Sequence, residues 1–452
     1  MYQKALFIFR RDLRIVDNTG LLYALTHAKE VVCLFIFTPE QIEKNPYRSD
    51  FCLNFMLDSL KDLEETINNL GGKLFYCYEH PDVAVSKCIA ELGIDLVCVN
   101  SDYTPYSKER DQKIEDVCNK NEVLFKTFHD LLLHPPEELL KANQEPYTVF
   151  TPFYKNGSKF RVNHPKPNEH KNYFKGSLSF AENSSIFKRI LPNRVETFKG
   201  GRKEALLILN KISNFELYEK ERDFPALEKT THLSPHLKFT TVSPREVYYF
   251  VAKAFGNQHP LIRSLYWRDF FSLICHYFPF VFRSSFHPKF DKLEWDDNDE
   301  LFNRWCEGRT GFPIIDAGMR QLNQTGYMHN RVRMIVASFL VKDLHIDWRK
   351  GEKYFATHLV DYDPAVNNGN WQWCASTGCD AQPYFRIFNP WSQQLKFDPD
   401  CEYIKKWIPE LKDETAKTIH NWHLQEYETN YPLPIIDHSI ESKQTLAYYK
   451  KC

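Results

Sequence analysis

The sequence predicts an α/β domain with a doubly wound parallel sheet, then a connector, then an all-helical domain. Three observations predict it. Short apolar runs alternate with amphipathic stretches over residues 1–130, periodicity is lost across 131–200, and over 201–452 strand patterns become scarce while helical ones are frequent. We place the domains at those boundaries.

In the first domain, residues 4–9, 31–37, 73–78 and 95–100 are expected as buried strands bounded by polar or Gly-containing turns. A helical pattern over 51–70 runs into Gly71 and Gly72, the signature of a C-terminal cap. Strands alternating with helices imply a parallel sheet covered on both faces. Within 131–200, His134-Pro135-Pro136, Asn156-Gly157-Ser158 and Pro165-Lys166-Pro167 punctuate a long connection expected to wrap over the surface. In the last domain, 319–324 and 332–347 carry apolar residues at helical spacing, and Ser243-Pro244 reads as a helix N-cap followed by Pro. All nine Trp lie at or beyond Trp267.

Composition narrows the function. Of 452 residues, 43% are hydrophobic and 26% charged, an ordinary globular balance. Lys plus Arg number 58 against 59 Asp plus Glu, so any surface for nucleic acid must be local. The longest uncharged apolar stretch, 270–282, is shorter than the roughly 20 residues that span a bilayer. The N-terminus reads as a buried strand and not as a signal peptide, so an intracellular protein is expected, with no membrane association. Twelve Cys show no Cys-x-x-Cys and no metal-ligand spacing, so reduced thiols and no metal are expected. No Gly-x-Gly-x-x-Gly or Gly-Lys-Ser/Thr motif occurs, so a nucleotide cofactor would bind by another route.

Three clusters stand out. Residues 361–373 pack two Asp, Asn367, Asn368, Asn370 and two Trp into one segment. Residues 262–290 interleave cations (Arg263, Arg268, Arg283, Lys289) with aromatic rings, a mixture suited to stacking on bases and touching phosphates. The third cluster is His329-Asn330-Arg331-Val332-Arg333-Met334. Each alone reads first as a packed or solvated helix. Their order is specific.

Together with Phe9-Arg10-Arg11-Asp12-Leu13-Arg14 at one end, and Gln382-Pro383-Tyr384-Phe385-Arg386-Ile387-Phe388-Asn389-Pro390 with Phe397-Asp398 at the other, they resemble the cryptochrome/photolyase flavoprotein family. The resemblance runs over nearly the whole chain. It is closest to class I members that repair cyclobutane pyrimidine dimers, whose C-termini stop at the same place. It implies FAD in the helical domain, with Tyr218 and Thr230-Thr231-His232-Leu233-Ser234 receiving phosphates and Arg268 beside the cofactor. Arg333 would pair with Asp361 next to the isoalloxazine, Asp363 would make another flavin contact, and Asn367 would face flavin N5. Trp371, Trp348 and Trp295 fall at the family's electron-transfer positions. A large indole π-system can be oxidised transiently and relay a hole. Base flipping is expected, with Trp267 and Trp373 as walls around the lesion. Asn330, Arg331, Met334 and Gln393 would contact lesion or backbone, and Arg222 a phosphate. The partner implied is UV-damaged DNA and the state a monomer. A second, antenna chromophore (folate, deazaflavin or flavin) is expected near residues 100–106 and 109–111.

The chain departs from the pattern at Ser264, where dimer photolyases place a Glu; Ser is shorter and uncharged. Thr240 stands where Gly is usual, His236 replaces a Tyr and Tyr327 a Trp. Three alternatives follow. A photolyase for (6-4) products needs a His pair, of which His329 fills one place. A cryptochrome-type light receptor is favoured by Ser264 and opposed by Asn367, both Trp walls and the absence of a C-terminal extension. A light-independent nucleic-acid binder would not need the flavin residues.

Overall fold

The computed structural model describes residues 1–424 and 430–452. Contacts divide the chain into two units: Met1–Asn214 with His232–Pro279, and Phe215–Thr231 with Phe280–Cys452. The first unit thus takes in helices that chain order alone assigns to the helical half.

The first unit is built on β1 (Tyr2–Phe9), β2 (Ala28–Phe37), β3 (Leu74–Tyr78), β4 (Leu96–Asn100) and β5 (Leu124–Phe128), all parallel, in the order β3-β2-β1-β4-β5. Chain direction across the sheet reverses between β1 and β4, which makes that edge-to-edge junction the topological switch point. Ala5, Leu6, Phe7, Val31, Val32, Cys33, Val97 and Cys98 are buried because helices cover both faces. The sequence pattern misses β5: this edge strand leaves Leu124 exposed and carries Lys126 and Thr127, so it lacks a continuous apolar run. Helix Asp50–Asn69 ends as expected. Gly71 adopts φ 77°, and the N–H groups of Gly71 and Gly72 donate to Asn68 and Ile67.

The segment 131–200 does not wrap loosely over the surface. It holds helices Phe150–Gly157 and Ile186–Ile190, and it bridges the sheet at Val31–Tyr173 and Tyr76–Glu182. Tyr173, Phe187 and Ile190 are buried against the β2–β3 side. Apolar side chains without regular spacing made this packing invisible to periodicity.

Helix Pro244–Phe255 starts with a full capping box, in which the Ser243 hydroxyl accepts from Glu246 N–H and the Glu246 carboxylate accepts from Ser243 N–H. Helix Pro260–Tyr277 follows. A buried polar network ties these elements to the sheet. Arg14 donates to Asp130 (2.6 Å), and Arg245 donates to both Asp130 and Asp17 (2.8 Å each). Thr240 explains its own departure from Gly. At φ 34° its hydroxyl accepts from Arg14 (2.7 Å) and donates to the Arg11 carbonyl (2.9 Å).

The second unit packs helices Asp299–Glu307, Pro313–Thr325, Asn330–Lys342, Trp348–His358, Pro364–Cys374, Pro390–Phe397 and His438–Lys450 around Trp305, Phe339, Leu340, Trp348 and Trp371. The expected helix over 332–347 ends at Lys342. Asp343 turns away toward His438, His345 takes φ 54°, and Asp347 caps the next helix at Arg349 N–H (2.9 Å). Among the described residues no helix is long and apolar enough to cross a membrane.

Candidate functional site

Helix Pro364–Cys374 organises the second unit's site. Asp363 caps it, accepting from Ala365 and Val366 N–H (3.0 and 3.2 Å). Asn367 and Trp371 follow at steps of four, so cap, amide and indole share one helix face. Both are buried, whereas Trp373, two positions on, is half-buried on another face.

Asn367 Nδ2 donates to the Glu352 carbonyl at 3.0 Å. Burial pushes the Glu352 carboxyl up to about 7, and the Asn367 side chain draws it part of the way back. Glu352 is a functional candidate that the sequence reading missed; only its spacing to Asn367 in space singles it out. Nearby, Arg333 grips Asp361 with two hydrogen bonds (3.1 and 2.9 Å) and donates its Nε to the Met328 carbonyl (2.7 Å). Burial works against the Arg333 charge, yet Asp361 holds its pKa above the ordinary value. Tyr327 lies 5.4 Å under the same guanidinium and meets the Thr230 hydroxyl at 3.5 Å.

Trp371 is 2% exposed and Trp348 1%, while Trp295 is half-buried; all three belong to one apolar cluster. Trp295 is thus the most exposed of the three. Phe355 and Trp305 meet Trp371 edge-on at 5.0 and 6.2 Å. Gly351 allows this packing, since a Cβ there would stand 2.2 Å from the Trp371 ring.

Several of the residues expected to touch DNA or phosphate occupy the same unit. Arg331 pairs with Asp223 (2.9 Å) and lies 4.4 Å over Phe397. Asn330 is exposed, with its amide 3.9 Å from the Met334 sulfur. Gln393 is half-buried on helix Pro390–Phe397, beside Gln394, which is buried and bonded to Ile314 N–H and the Ile419 carbonyl. Arg222 lies over Tyr218 at 5.9 Å, and its buried Nε has no hydrogen-bond partner among the described residues. An unsatisfied buried guanidinium N–H beside Tyr218, with the hydroxyls of Thr230 and Thr231 on the same unit, suits an anionic oxygen. The donor set fits a flavin nucleotide. His329 caps helix Asn330–Lys342 through Nδ1, which accepts from Arg331 N–H (3.2 Å).

The first unit carries the remaining positions. Trp267 stacks face to face on Phe150 (3.6 Å, 5°), and Arg263 lies 5.3 Å over the Phe150 ring. Phe150 was not legible as a site residue because it lies far away in the connector. Ser264 is exposed, and its hydroxyl donates back to the Pro260 carbonyl at 3.2 Å. Arg268 donates to the carbonyls of Leu131 (2.5 Å) and Leu237 (3.2 Å). Beside it, Asp269 is pushed up to about 7 by burial against the pull of Arg268. His232 stacks on Phe198, Leu233 is buried, and Ser234 opens the short helix Ser234–Lys238. Burial pushes His236 down to about 4, so it is neutral and bonded to Thr241 (2.9 Å).

At the switch point between β1 and β4, Asn100 donates to Asp12 and Asn18 (2.5 and 2.8 Å). Arg10 binds Asp111 at 2.7 Å and Arg11 meets Asp102 at 3.6 Å. Tyr106 stays exposed on the helix that follows, Pro105–Lys120.

Comparison with known proteins follows the same outline. The DNA photolyase family description matches residues 5–170, and the FAD binding domain of DNA photolyase matches 261–451. A deoxyribodipyrimidine photo-lyase of Alkalihalophilus pseudofirmus is 36% identical over 467 residues, spanning 98% of this chain and 97% of its own. An archaeal photolyase from Sulfolobus tokodaii, crystallised with two FAD molecules, superposes with a TM-score of 0.92 at 43% identity over 100% of both chains. A Synechocystis cryptochrome superposes with a TM-score of 0.88 at 25% identity, over 99% of each chain.

Proposed function

The chain belongs to the cryptochrome/photolyase family, and from that membership we propose that it repairs UV-damaged DNA with light, as a deoxyribodipyrimidine photo-lyase acting on cyclobutane pyrimidine dimers. The observation that carries the reading is the single helix Pro364–Cys374, which lines up Asp363, Asn367 and Trp371 on one face and sets Trp373 on another. A cryptochrome-type receptor is the weaker reading, because curated relatives matching the full chain are named as photo-lyases.

FAD, when bound and reduced, supplies the photoexcited electron that opens the dimer's ring, chemistry that belongs to the cofactor. The protein binds, orients and screens. On the second unit, Tyr218, Thr230 and Thr231 would hold phosphates, Arg333 and Asp361 would flank the ring system, Asp363 would cap beside it, and Asn367 would offer a neutral amide. On the first unit, Arg268 and the His232-Leu233-Ser234 segment would contribute. The relay Trp371, Trp348 and Trp295 would recharge the site. Trp267, held flat by Phe150, and Trp373 would stack on flipped bases. Asn330, Arg331, Met334, Gln393 and Arg222 would contact the strand.

The second chromophore is placed at the β1–β4 switch point, where α/β sheets open a crevice at their carboxyl ends. The two FAD molecules in the Sulfolobus tokodaii protein support a flavin over a folate or deazaflavin. We place the protein inside the cell as a monomer. The deciding experiment is light-dependent repair of an oligonucleotide carrying one defined lesion. Splitting of the cyclobutane dimer is expected; splitting of the (6-4) product alone, or neither, would refute the assignment.

Two predictions arise here. Ser264→Glu is expected to raise lesion affinity by about 1–3 kcal/mol, because a longer charged acceptor would replace a hydroxyl already turned back on Pro260. Equal affinities of the two proteins in a dimer-containing duplex would sink this account of Ser264. Binding to undamaged duplex is expected to be weak and its salt dependence shallow, since the net charge is −1 and the acidic run over 291–300 adjoins the basic stretch. Titration with an undamaged oligonucleotide at several salt concentrations checks it.

A further inference from the structure

Among the described residues Lys342 is the only buried lysine, with none of its surface exposed. Lysine is almost never fully buried without partners. Its ammonium donates to the Ser376 hydroxyl (2.9 Å) and to the carbonyls of Arg386 (3.1 Å) and Tyr384 (3.4 Å). All three acceptors are neutral. Burying a charge for neutral acceptors is a poor route to stability, so what the three bonds hold matters more than their strength.

They hold one segment. The acceptors lie within 375–389, where no helix or strand forms. Apolar burial does little for it, since Pro383 and Phe385 are exposed. Ser376 takes φ 62°, a left-handed conformation that non-glycine residues disfavour. The other support comes from helix His438–Lys450, where Tyr449 donates to the Ala375 carbonyl (2.6 Å) and stacks on Tyr384 (5.8 Å, 3°). The same helix secures the lysine itself, through the Thr445 hydroxyl and the Lys342 carbonyl (2.5 Å). The segment leaves helix Pro364–Cys374, which carries Trp373, and enters helix Pro390–Phe397, which carries Gln393. Lys342 ends helix Asn330–Lys342, which begins with Asn330, Arg331 and, one turn on, Met334. One ammonium thus ties together the three helices that carry these five residues.

We propose that Lys342 is a positioning residue for damaged DNA, fixing the spacing of Asn330, Arg331 and Met334 relative to Trp373 and Gln393. This rests on the reading of those five residues as DNA contacts. Lys342, buried itself, acts through the segment it holds. The proton count makes the clamp conditional. An ammonium offers three N–H donors to three acceptors, and the neutral amine offers two. Burial pushes Lys342 down to about 8; Cys374 and Asp343 pull the other way, and Arg386 adds to the lowering. Cys374 faces it from helix Pro364–Cys374, Asp343 from the end of its own helix and Arg386 from the segment. Helix His438–Lys450 presents Thr445, which does not titrate, and His438, which is bonded to Asp343 (2.5 Å). As pH rises through about 8, the ammonium gives up a proton and one acceptor on the segment loses its donor.

The test is the affinity of the holoenzyme for a duplex carrying one cyclobutane dimer, at pH 7 and pH 9, with the splitting yield of the saturated complex measured alongside. Lys342→Met keeps an unbranched side chain and removes the donors. At pH 7 it is expected to weaken binding about tenfold, the low end for hydrogen bonds to a charged group. The yield per absorbed photon in the saturated complex should stay at the parent value, a loss in binding alone. The parent should fall toward the variant's affinity between pH 7 and pH 9, while the variant's profile stays flat. Hydrogen exchange over 376–386 should quicken in the variant at pH 7. Parent-like affinity in Lys342→Met, or the same pH profile in both proteins, would overturn the role of Lys342 and leave the photolyase reading standing. Should the variant not fold, the parent's profile decides, and a flat one overturns the role. A parent that neither binds nor splits the dimer would overturn that reading and this extension together.

Discussion

Trp371→Phe is expected to slow light-driven reduction of the oxidised cofactor at least a hundredfold, which corresponds to about 2.7 kcal/mol of barrier. Phenylalanine keeps an aromatic ring in the bed formed by Phe355 and Trp305, but a benzene ring is far harder to oxidise than an indole. The packing loss should be roughly 1–2 kcal/mol, well short of the ~3–5 kcal/mol of a Trp→Ala truncation. Repair by enzyme reduced chemically beforehand is the companion measurement, since it bypasses the relay. Loss confined to photoreduction identifies electron supply as the role of Trp371. Loss of both activities with a lowered melting temperature identifies damaged packing. Photoreduction at the parent rate would remove Trp371 from the relay.

Asp130→Ala is expected to have the largest effect on stability, about 3–5 kcal/mol. Asp130 is fully buried and accepts from Arg14 and Arg245, with Thr19 N–H and hydroxyl on its second side. Removing it leaves Arg14, itself 1% exposed, without its counter-charge. The sign of the pH dependence follows. Burial alone would raise Asp130, but the two guanidinium groups outweigh it and hold the carboxyl well below the usual carboxylate range. A depressed folded-state pKa adds stability that is present above the unfolded carboxylate value, near 3.9, and lost as pH falls toward the folded value. The parent should therefore lose denaturant resistance steeply in acid. The variant, already missing the interaction at pH 7, should show a flatter profile below pH 4. Urea unfolding at pH 7 and pH 3 measures both, and a parent-like midpoint for Asp130→Ala at pH 7 would contradict the argument.

Much of the fold was legible because it rests on local rules. The inner strands announce themselves as apolar runs, since both faces of a parallel sheet are covered. The cap at Gly71 and the capping box at Ser243 are set by residues within a few positions of each other. Edge strand β5 escaped notice because solvent, not a helix, meets half of it. The break after Lys342 escaped because its partner, His438, lies 95 residues away. The connector differs from expectation for a related reason: Tyr173 and Phe187 are buried residues of the sheet layer, but nothing in their spacing says so.

The candidate site divides in the same way. Asp363, Asn367 and Trp371 could be read together because an α-helix converts steps of four into one face. That pattern, with the Trp spacing and the terminal motifs, carried the family and the cofactor class from the chain alone. Only the tertiary structure decided what supports those groups. It set Phe150 flat against Trp267, Trp305 and Gly351 around Trp371, and Glu352 beside Asn367. It also turned the Ser264 hydroxyl back to Pro260. The physical reason is range. Periodicity, caps and turn chemistry act within about one helical turn and are written in neighbouring letters. Stacking, burial of charge and the pairing of distant side chains depend on where the folded chain returns, and no local pattern encodes that.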